Sequence, residues 1–394
     1  MIIVGSGPAG AATALGLAAH DPVLARDVLL LDKAVHPRDK TCAGGVIPKS
    51  LAVLDGLGVT LDVPQVRIDR ASIDIPGRRL DVPGRDLCRV VRRCEFDALL
   101  AWTARARGID LREGHRVTRL VRDGDGIRVE TDRATFWAPV VVGADGSGSL
   151  VRRALVDQSE GLVGRAVMVD VPAASTNWDG HARQRYDFDF RCVPGGVRGY
   201  RWVFPNLLDG VPHANVGVYA LPPVNGAVLQ RELHTLLNEL GTTARTWKAF
   251  PIRTAVPGPL VAPGVLLVGD AAGCDPLMGE GISFALEYGV LAAEAVTHAR
   301  RGGDRSFRRY QHAVDHGPIG RKLRRLRLAT RLFYGRRTWP AAFAAAARSR
   351  RAQAIGLAWY NGVDQWDERG VLAMGAAWLT RRGPRWQEDV VAGA

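Results

Sequence analysis

The stretch VGSGPAGAATALGLA, Val4 to Ala18, decides the fold. The chain begins with the short β-branched run MIIV, which predicts a strand, and the stretch ends in an alanine- and leucine-rich run, which predicts a helix. Between them, Gly5 allows a sharp turn, Gly7 leaves the backbone open to a pyrophosphate, and Gly10 lets the helix pack closely on the strand. The phosphate would meet unpaired N–H groups at the positive end of the helix. The stretch therefore predicts a dinucleotide site formed by Gly5, Ser6, Gly7, Pro8, Ala9 and Gly10.

A second apolar strand, in DVLLLDKA, ends at Asp32, 22 residues after Gly10. A carboxylate at this distance accepts hydrogen bonds from a ribose 2′-hydroxyl in dinucleotide-binding folds. The alternative interpretation is a glycine-rich helix start followed by an incidental acidic residue.

Much further along, GVLLVGDAAGCDPLMGEGISFALEYGVLAAEAV, residues 264–296, predicts another buried strand, a loop and a long apolar helix. An acidic residue at the end of the strand, Asp270 after Gly269, could bind the polyol of a ribityl chain, although it could also cap a turn. The loop contains Pro276, Gly279 and Gly281, and the helix begins near Ile282, where N–H groups could face the pyrimidine carbonyls of a flavin.

A third element, APVVVGADGSGSLVRRAL, predicts one more strand followed by a turn at Asp145 and Gly146. The three pieces together resemble the dinucleotide, DG and GD motifs of the flavoprotein monooxygenase superfamily with the p-hydroxybenzoate hydroxylase fold. They occur in the family's order over about 290 residues. The resemblance implies one FAD in a discontinuous domain and a substrate domain inserted before the GD motif.

The expected fold class is accordingly α/β (α+β), with a Rossmann-like FAD-binding domain, an inserted, mostly antiparallel sheet domain and a C-terminal helical region. We expect the FAD domain at 1–165 and 255–310, with 66–90 contributing to the substrate domain. The substrate sheet domain is expected at 166–254 and the helical region at 311–394.

The resemblance also implies further FAD contacts, residue by residue. Asp32 matches the ribose-binding acid, which is usually Glu in the family, and Arg93 in RCEFDALL matches an arginine near the flavin. Val117 would supply backbone contacts to adenine, and Asp270 would meet the ribityl and pyrophosphate region. Lys33 and Arg38 complete the expected set.

Two motifs select a branch of the superfamily. CAGG, made of Cys42, Ala43, Gly44 and Gly45, resembles the cysteine-glycine loop of the geranylgeranyl reductases, and YRWVFP, residues 200–205, resembles their YxWxFP motif. The loop glycines would let the backbone run close over the isoalloxazine. Cys42 is a candidate for gating the flavin or passing a proton, and its alternative is a small buried side chain. Halogenases carry WxWxIP instead, and neither Lys40 nor Lys49 lies in a motif matching their catalytic lysine.

The aromatic residues of YRWVFP alternate with Arg201 and Val203, so on a strand Tyr200, Trp202 and Phe204 share one face. Facing the flavin, they would form an apolar wall with a hydroxyl and an indole N–H as polar handles for a lipophilic substrate. An ordinary stripe in the core of a sheet is the alternative.

The composition indicates the class of protein, its partners and the use of its cysteines. The 394 residues are 47% hydrophobic and 24% charged, which is typical of a globular protein. The net charge is +13, which favours a solvated basic surface or an anionic membrane as partner over nucleic acid. Five cysteines without a CxxC pair indicate neither a metal site nor a disulfide framework.

Location is expected to be cytoplasmic, possibly peripheral at a membrane. The uncharged N-terminal stretch lacks a basic region and is interrupted by glycines and a proline, so we expect no secretion signal. No later apolar run is long enough to span a bilayer.

The C-terminal part of the chain has a composition of its own. From about Pro318 it is basic, with Ile319, Leu323, Leu326 and Phe333 near helical spacing. This stretch could cap a pocket or lie on an anionic membrane. Tryptophans enriched in the same region suit either a lid or an interface belt: Trp339, Trp359, Trp366, Trp378 and Trp386.

The resemblance implies an FAD-dependent oxidoreductase that reduces a C=C bond of an isoprenoid or related lipophilic small molecule by hydride transfer from reduced flavin. NAD(P)H or a redox protein would donate the electrons. The rivals are a monooxygenase that hydroxylates or epoxidises an aromatic or polyketide substrate, a halogenase, and a nucleic-acid or membrane binder that keeps flavin as a relic.

Overall fold

The computed structural model describes residues 1–159 and 161–348, together with Gln353, Gly356, Ala358, Tyr360 and Asn361. Short runs rich in β-branched and leucine residues form its strands. The strands are β1 (Ile2–Val4), β2 (Leu29–Leu31), β3 (Gly45–Val46), β4 (Gln65–Ile75), β5 (Arg78–Val91), β6 (Asp110–Arg112), β7 (Val117–Asp123), β8 (Gly126–Thr131), β9 (Thr135–Ala138), β10 (Val141–Gly143), β11 (Leu162–Pro172), β12 (Arg185–Asp189), β13 (Gly199–Leu208), β14 (Val211–Ala220), β15 (Lys248–Thr254), β16 (Val261–Ala262) and β17 (Val265–Leu267).

The helices follow runs with apolar residues at helical spacing. They are α1 (Pro8–His20), α2 (Pro22–Ala25), α3 (Pro48–Gly56), α4 (Arg93–Ala106), α5 (Gly226–Glu239), α6 (Ile282–Gly302), α7 (Arg308–His316), α8 (Pro318–Phe333) and α9 (Trp339–Arg348). A π-helical turn, Arg152–Val156, and three short 3-10 turns complete the described elements.

The opening stretch lies in a six-stranded sheet of order β16-β17-β10-β1-β2-β6, parallel except for β16. Its strands β1, β10 and β17 are short and wholly buried, as is typical of parallel sheets covered by helices. Because the strands are parallel, the residues that follow β1, β2, β10 and β17 meet at one edge of the sheet. An open α/β sheet binds its ligand at this edge.

A second, eight-stranded sheet has the order β15-β11-β14-β13-β12-β4-β5-β3 and is antiparallel except where β12 pairs with β4. It takes strands from 65–91 as well as from 162–254. Its strand β11 begins at Leu162, before the predicted domain boundary at 166, and it also includes β3 from the loop that follows Asp32. A third sheet, β7-β8-β9, is a small antiparallel meander.

Helices α7, α8 and α9 follow the long α6, and they form the described part of the region expected at 311–394. Of the predicted apolar stripe in α8, Ile319, Leu323 and Leu326 are buried, whereas Phe333 is half-buried. Trp359, Trp366, Trp378 and Trp386 lie outside the described residues. No helix among the described residues is both long enough and apolar enough to cross a membrane. The expected combination of a Rossmann-like sheet, an antiparallel sheet and C-terminal helices is confirmed.

Candidate functional site

A cavity of about 820 Å³ lies between the carboxyl edge of the parallel sheet and one face of the eight-stranded sheet. Of the predicted site residues, those that line it are Gly5, Gly7, Pro8, Ala9, Asp32, Lys33, Arg38, Cys42, Ala43, Gly44, Gly45, Arg93, Val117, Asp145, Gly146, Asp270, Gly279, Gly281, Ile282, Tyr200, Trp202 and Phe204. Ser6, Gly10, Gly269 and Pro276 are buried behind this wall instead.

The glycine turn after β1 has the geometry that the sequence predicts. Gly5 adopts φ +102°, a region that residues with a side chain rarely enter. A Cβ on Gly10 would lie 1.8 Å from the carbonyl oxygen of Gly5, so α1 can only begin this close to the turn without a side chain there. Gly7 faces the cavity, and the heavy atom nearest to the position of its absent Cβ is Arg38 Nη2 at 3.5 Å. The first turn of α1 is thereby open to a ligand.

Asp32 is buried and organised by the same turn. Its Oδ2 accepts hydrogen bonds from the backbone N–H of Ser6 at 2.8 Å and from the Ser6 hydroxyl at 2.7 Å, and its Oδ1 accepts from the N–H of Ala34 at 2.9 Å. Ser6 therefore acts on the cavity through Asp32, because its own side chain is committed to this carboxylate.

The DG and GD turns meet directly. The Ser147 hydroxyl donates to Asp270 Oδ2 at 3.1 Å, which joins the turn after β10 to the turn after β17. Asp145 accepts hydrogen bonds from the Ser149 hydroxyl and from the N–H groups of Leu150 and Val151, so it mainly caps its own turn. Three segments far apart in sequence thus converge on one cavity.

Arginines at the middle of the cavity share one buried carboxylate. Asp97 accepts from Arg93 Nε at 2.7 Å and Nη2 at 2.9 Å, and Arg38 Nη2 lies 2.9 Å from its Oδ2. Burial alone would raise the pKa of Asp97, but the attraction and hydrogen bonds of Arg93, together with the charges of Arg38 and Lys40, lower the pKa overall. Asp97 is therefore a carboxylate that holds two cations against the cavity. Its spacing of four residues from Arg93 on a helix could have revealed this pair in the sequence.

Lys40 is a further cation that lines the cavity. Its Nζ donates to the Thr41 carbonyl at 3.2 Å and lies 3.1 Å from the centroid of the Phe250 ring, and no ion pair with a carboxylate is recorded for it within the described ranges. Burial, followed by repulsion from Arg93, lowers the pKa of Lys40 to about 8. Lys40 was weighed from the sequence only as a candidate for a halogenase lysine, and its place beside Arg93 and Phe250 was not predicted.

The loop from Cys42 to Gly45 passes along the cavity wall. Gly44 adopts φ +81°, and a Cβ there would lie 2.0 Å from the carbonyl oxygen of Val91. The sulfur of Cys42 accepts the Gly44 N–H at 3.3 Å and faces the cavity. The glycines thus allow the loop to lie flat against β5 with the thiol on the open side.

Strand β13 presents Tyr200, Trp202 and Phe204 to the cavity, as the alternation predicts. The expected polar handles, however, are committed to the protein. The Tyr200 hydroxyl donates to the Met278 carbonyl at 2.7 Å, and the Trp202 indole N–H donates to Asn215 Oδ1 at 2.8 Å. The sequence could not reveal these acceptors, because Met278 lies in a distant segment and the bond to Asn215 depends on the register between β13 and β14. The wall therefore offers an aromatic surface to a substrate. Neither the Tyr200 hydroxyl nor the Trp202 N–H is left to donate a hydrogen bond to it.

More aromatic side chains pack behind and beside this wall. Tyr186 stacks on Phe204 with ring centroids 5.1 Å apart, and Phe188 meets Phe204 edge to face at 5.3 Å. Tyr360 contacts Phe188 at 5.1 Å and lines the cavity. The alternation in YDFDF, residues 186–190, was a sequence signal for these neighbours that the analysis missed.

Three tyrosine hydroxyls fix the loop that precedes α6. Tyr219 donates to the carbonyl of Pro276 at 3.3 Å, Tyr334 donates to that of Leu277 at 2.7 Å, and Tyr200 donates to that of Met278. Pro276 thus contributes structure rather than a cavity surface. The loop continues into Gly281 and Ile282, which bring the N-terminus of α6 to the cavity.

A dinucleotide cofactor fits this arrangement. The starts of α1 and α6 both open on the cavity, and helix N-termini bind phosphate and polar carbonyl groups through their free N–H groups. Gly7 leaves backbone accessible, while Arg38, Lys40 and Arg93 supply positive charge. These residues can hold the anionic and polar parts of FAD, and the aromatic wall remains for a second, apolar molecule.

Comparison with known proteins agrees with this geometry. The family described as FAD binding domain matches residues 1–186. Menaquinone reductase of Mycolicibacterium smegmatis is 32% identical over 325 residues, which cover 75% of this chain and 76% of that protein. Digeranylgeranylglycerophospholipid reductase of Methanosarcina acetivorans is 28% identical over 333 residues, covering 80% of this chain and 79% of that protein.

Among solved structures, a geranylgeranyl bacteriochlorophyll reductase-like protein from Thermoplasma acidophilum has the same fold, with a TM-score of 0.74. The two chains are 20% identical, and the match covers 95% of this chain and 98% of the other.

Proposed function

The chain belongs to the geranylgeranyl reductase-like branch of the flavoprotein monooxygenase superfamily and is an FAD-dependent oxidoreductase, and on this basis we propose that it reduces a C=C bond of an isoprenoid or related lipophilic substrate. The observation that carries the proposal is the aromatic wall of β13, which continues the same cavity that the three dinucleotide-type turns line. The names of the relatives quoted above support the same class of substrate.

The chemistry of the wall favours a hydrocarbon over a polar aromatic ring. A buried polar substrate group needs a hydrogen-bond partner, and its transfer from water is unfavourable without one. The Tyr200 and Trp202 donors are already used, and Phe204 has none. An uncharged polyprenyl chain can pack on these rings without leaving a polar group unpaired.

FAD, when bound and reduced, supplies a hydride for such a reduction. The residues of this chain have three other tasks. The aromatic wall holds the alkene and excludes water, and the Arg38–Asp97–Arg93 cluster supplies fixed charge beside the cofactor. A proton must also reach the second alkene carbon.

Cys42 is the proposed source of that proton. Cys42 lines the cavity together with Lys40, which would return a proton to the thiol. Replacement of Cys42 by Ala should suppress product formation while FAD stays bound, and Cys42→Ser should retain part of the activity. Equal turnover by Cys42→Ala and the unaltered protein would exclude this role.

Electrons would come from NAD(P)H or a redox protein. The sequence contains one dinucleotide motif, which FAD takes, so a nicotinamide would dock only transiently.

The decisive experiment is anaerobic turnover. Protein with photoreduced flavin is mixed with a digeranylgeranyl lipid or with a polyprenyl quinone, and the products are weighed by mass spectrometry. A gain of two hydrogen atoms per reduced C=C bond, counted for the quinone after its ring has been reoxidised in air, supports the proposal. Oxygen-dependent gain of one oxygen atom instead would identify a monooxygenase and refute it.

A substitution in the wall provides the matched control. Met168 lies in the cavity lining on β11, so Met168→Trp should fill the substrate space and abolish reduction without loss of FAD. Met168→Leu keeps the volume similar and should remain active.

A further inference from the structure

Helix α8 has an outer face whose composition the catalytic site does not explain. Leu328 is 57% exposed and Leu332 is 43% exposed, although both are large apolar residues. Successive residues of a helix are about 100° apart, so these two leucines occupy the middle of one face. Four of the residues that lie between them or flank them within about 60° are arginines: Arg321, Arg324, Arg325 and Arg331. The opposite face holds the buried Ile319, Leu323 and Leu326.

Positive charge predominates in the sequence of this part of the chain. Residues 316–348 contain nine Lys and Arg and neither Asp nor Glu. Arg321 and Arg324 donate to the carbonyls of His316 and Asp315, which are backbone groups without net charge. Burial, followed by repulsion from Arg324, lowers the pKa of Arg327. The cluster therefore repels itself, and an anionic surface would relieve that repulsion.

We propose that this face of α8, formed by Leu328, Leu332 and the four flanking arginines, docks the protein on an anionic lipid bilayer. Leucine side chains would enter the boundary between headgroups and acyl chains, and the guanidinium groups would meet lipid phosphates. Long arginine side chains reach a headgroup plane while the helix lies parallel to it. A second copy of the chain is a poorer partner, because two such faces would bring like charges together. Nucleic acid would match the arginines but not the exposed leucines between them.

The side of α8 and α9 that faces the protein contacts residues beside the cavity. If the proposed function holds, docking would therefore bring the cavity close to a lipid substrate. Tyr334, at the end of α8, donates to the carbonyl of Leu277 in the loop before α6. The ring centroid of Phe343 in α9 lies 5.7 Å from that of Phe190. The Phe190 centroid in turn lies 5.6 Å from that of Tyr200 in the cavity wall. Docking by the outer face would bring the region that carries the aromatic wall to the bilayer in which a polyprenyl substrate dissolves.

The test is flotation of the full-length, FAD-loaded protein with vesicles of phosphatidylcholine alone or with about one-third phosphatidylglycerol, which is anionic. We expect binding to the anionic vesicles only, with a loss of about ten-fold or more as NaCl rises from 0.1 to 0.5 M, because salt screens the attraction. Arg324→Gln/Arg331→Gln should weaken binding by about ten-fold or more, and Leu328→Gln/Leu332→Gln by about ten-fold. The assay needs no substrate, so it can fail while the reductase proposal stands, and the reverse also holds.

Matched controls separate this face from net charge and from folding. Arg26→Gln/Arg78→Gln removes two exposed arginines elsewhere and should bind like the unaltered protein, as should Val23→Gln, which removes an apolar side chain that is 66% exposed. Retained FAD and an unchanged circular dichroism spectrum verify each variant. Equal binding by both α8 variants and the controls would overturn the proposal. So would salt-sensitive binding to duplex DNA without vesicle binding, or a dimer in sedimentation that the leucine variant dissociates.

Discussion

At the scale of single residues, the cavity depends on glycines, which lack a side chain, and on charged groups that are largely shielded from solvent. Gly5 and Gly10 let the turn and the start of α1 approach closely, while Asp97 fixes two arginines and Lys40 lies against the Phe250 ring. Such arrangements reduce stability and are typical of functional sites. They also make single substitutions informative.

Gly10→Ala should damage both the fold and the cofactor site. Its Cβ would lie 1.8 Å from a backbone oxygen that cannot move without opening the turn. We expect a loss of about 1–3 kcal/mol in the free energy of unfolding and weaker FAD binding, measured by urea denaturation and by FAD titration. Gly56→Ala is the control, since a Cβ there has no heavy atom within 4 Å. Unchanged FAD affinity in Gly10→Ala would contradict the role of the close approach.

Asp97→Asn should be strongly destabilising because it leaves the guanidinium of Arg93, whose side chain is only 10% exposed, without its counter-charge. Removal of one partner of a buried ion pair reduces the free energy of unfolding by about 3–5 kcal/mol. FAD affinity should fall as well, since Arg38 and Arg93 lose their common anchor. Asp110→Asn breaks an exposed pair with Arg112 and should change stability by less than about 1 kcal/mol. If the two variants unfold alike, the buried cluster is not the anchor described above.

Lys40 should make the stability of the FAD-free protein depend on alkaline pH. The pKa of Lys40 is about 8 in the folded protein and near its ordinary 10.5 when unfolded, so the folded state carries an unfavourable buried charge below pH 8. As pH rises from 8 towards 10.5 the folded protein loses this proton first, and stability rises. Lys40→Met should therefore be more stable than the unaltered protein at pH 7, with a difference that shrinks by pH 9.5 in urea titrations. Lys33→Met, at an exposed lysine, should show no such convergence.

At the scale of elements, the loop before α6 is held by side chains from three different parts of the chain. Strands β13 and β14 supply Tyr200 and Tyr219, and the end of α8 supplies Tyr334, for three successive carbonyls. The aromatic wall and the start of α6 are thereby fixed relative to each other. The C-terminal helices thus act on the cofactor side of the cavity as well as covering the aromatic side.

Tyr200→Phe and Tyr334→Phe should loosen this loop. Each change leaves a backbone carbonyl without its donor and should reduce the free energy of unfolding by about 1–3 kcal/mol. Hydrogen exchange of residues 276–281 should accelerate more than exchange elsewhere. Tyr310→Phe removes an equally buried hydroxyl, which donates to the Leu267 carbonyl, and should leave exchange in this loop unchanged. Loop exchange that responds equally to all three variants would show that the hydroxyls act only through global stability.

At the scale of the whole molecule, the cavity lies at the junction of the parallel sheet and the eight-stranded sheet, and a cofactor there contacts both. FAD binds the native state and has no site in the unfolded chain. At a free concentration of 100 times Kd this linkage stabilises the protein by about 2.7 kcal/mol.

Removal of FAD should accordingly lower the melting temperature by several degrees, and the melting temperature should rise again with each increase in added FAD. Differential scanning fluorimetry measures the shift. ADP shares only the nucleotide end of FAD and should restore part of the lost melting temperature. A melting temperature independent of FAD would contradict the location of the site at this junction.

The sequence by itself determined the strand–turn–helix start, the three motif turns, the family and the alternation of aromatics in β13. These features are local, because they depend on backbone freedom at glycine, on residue spacing and on the two-residue period of a strand. The FAD contacts assigned to individual residues stay predictions, although most of those residues line one cavity.

Tertiary structure alone decided the rest. It committed the Tyr200 and Trp202 donors to carbonyl and amide oxygens, gave Arg38 and Arg93 a shared Asp97, placed Lys40 against Phe250, and left two leucines of α8 uncovered. Apart from the Arg93–Asp97 spacing, these features depend on which segments meet and in which register, and neither propensity nor periodicity encodes that. The polarity of the cavity follows from those meetings, because a donor that is satisfied by the protein is no longer offered to a ligand.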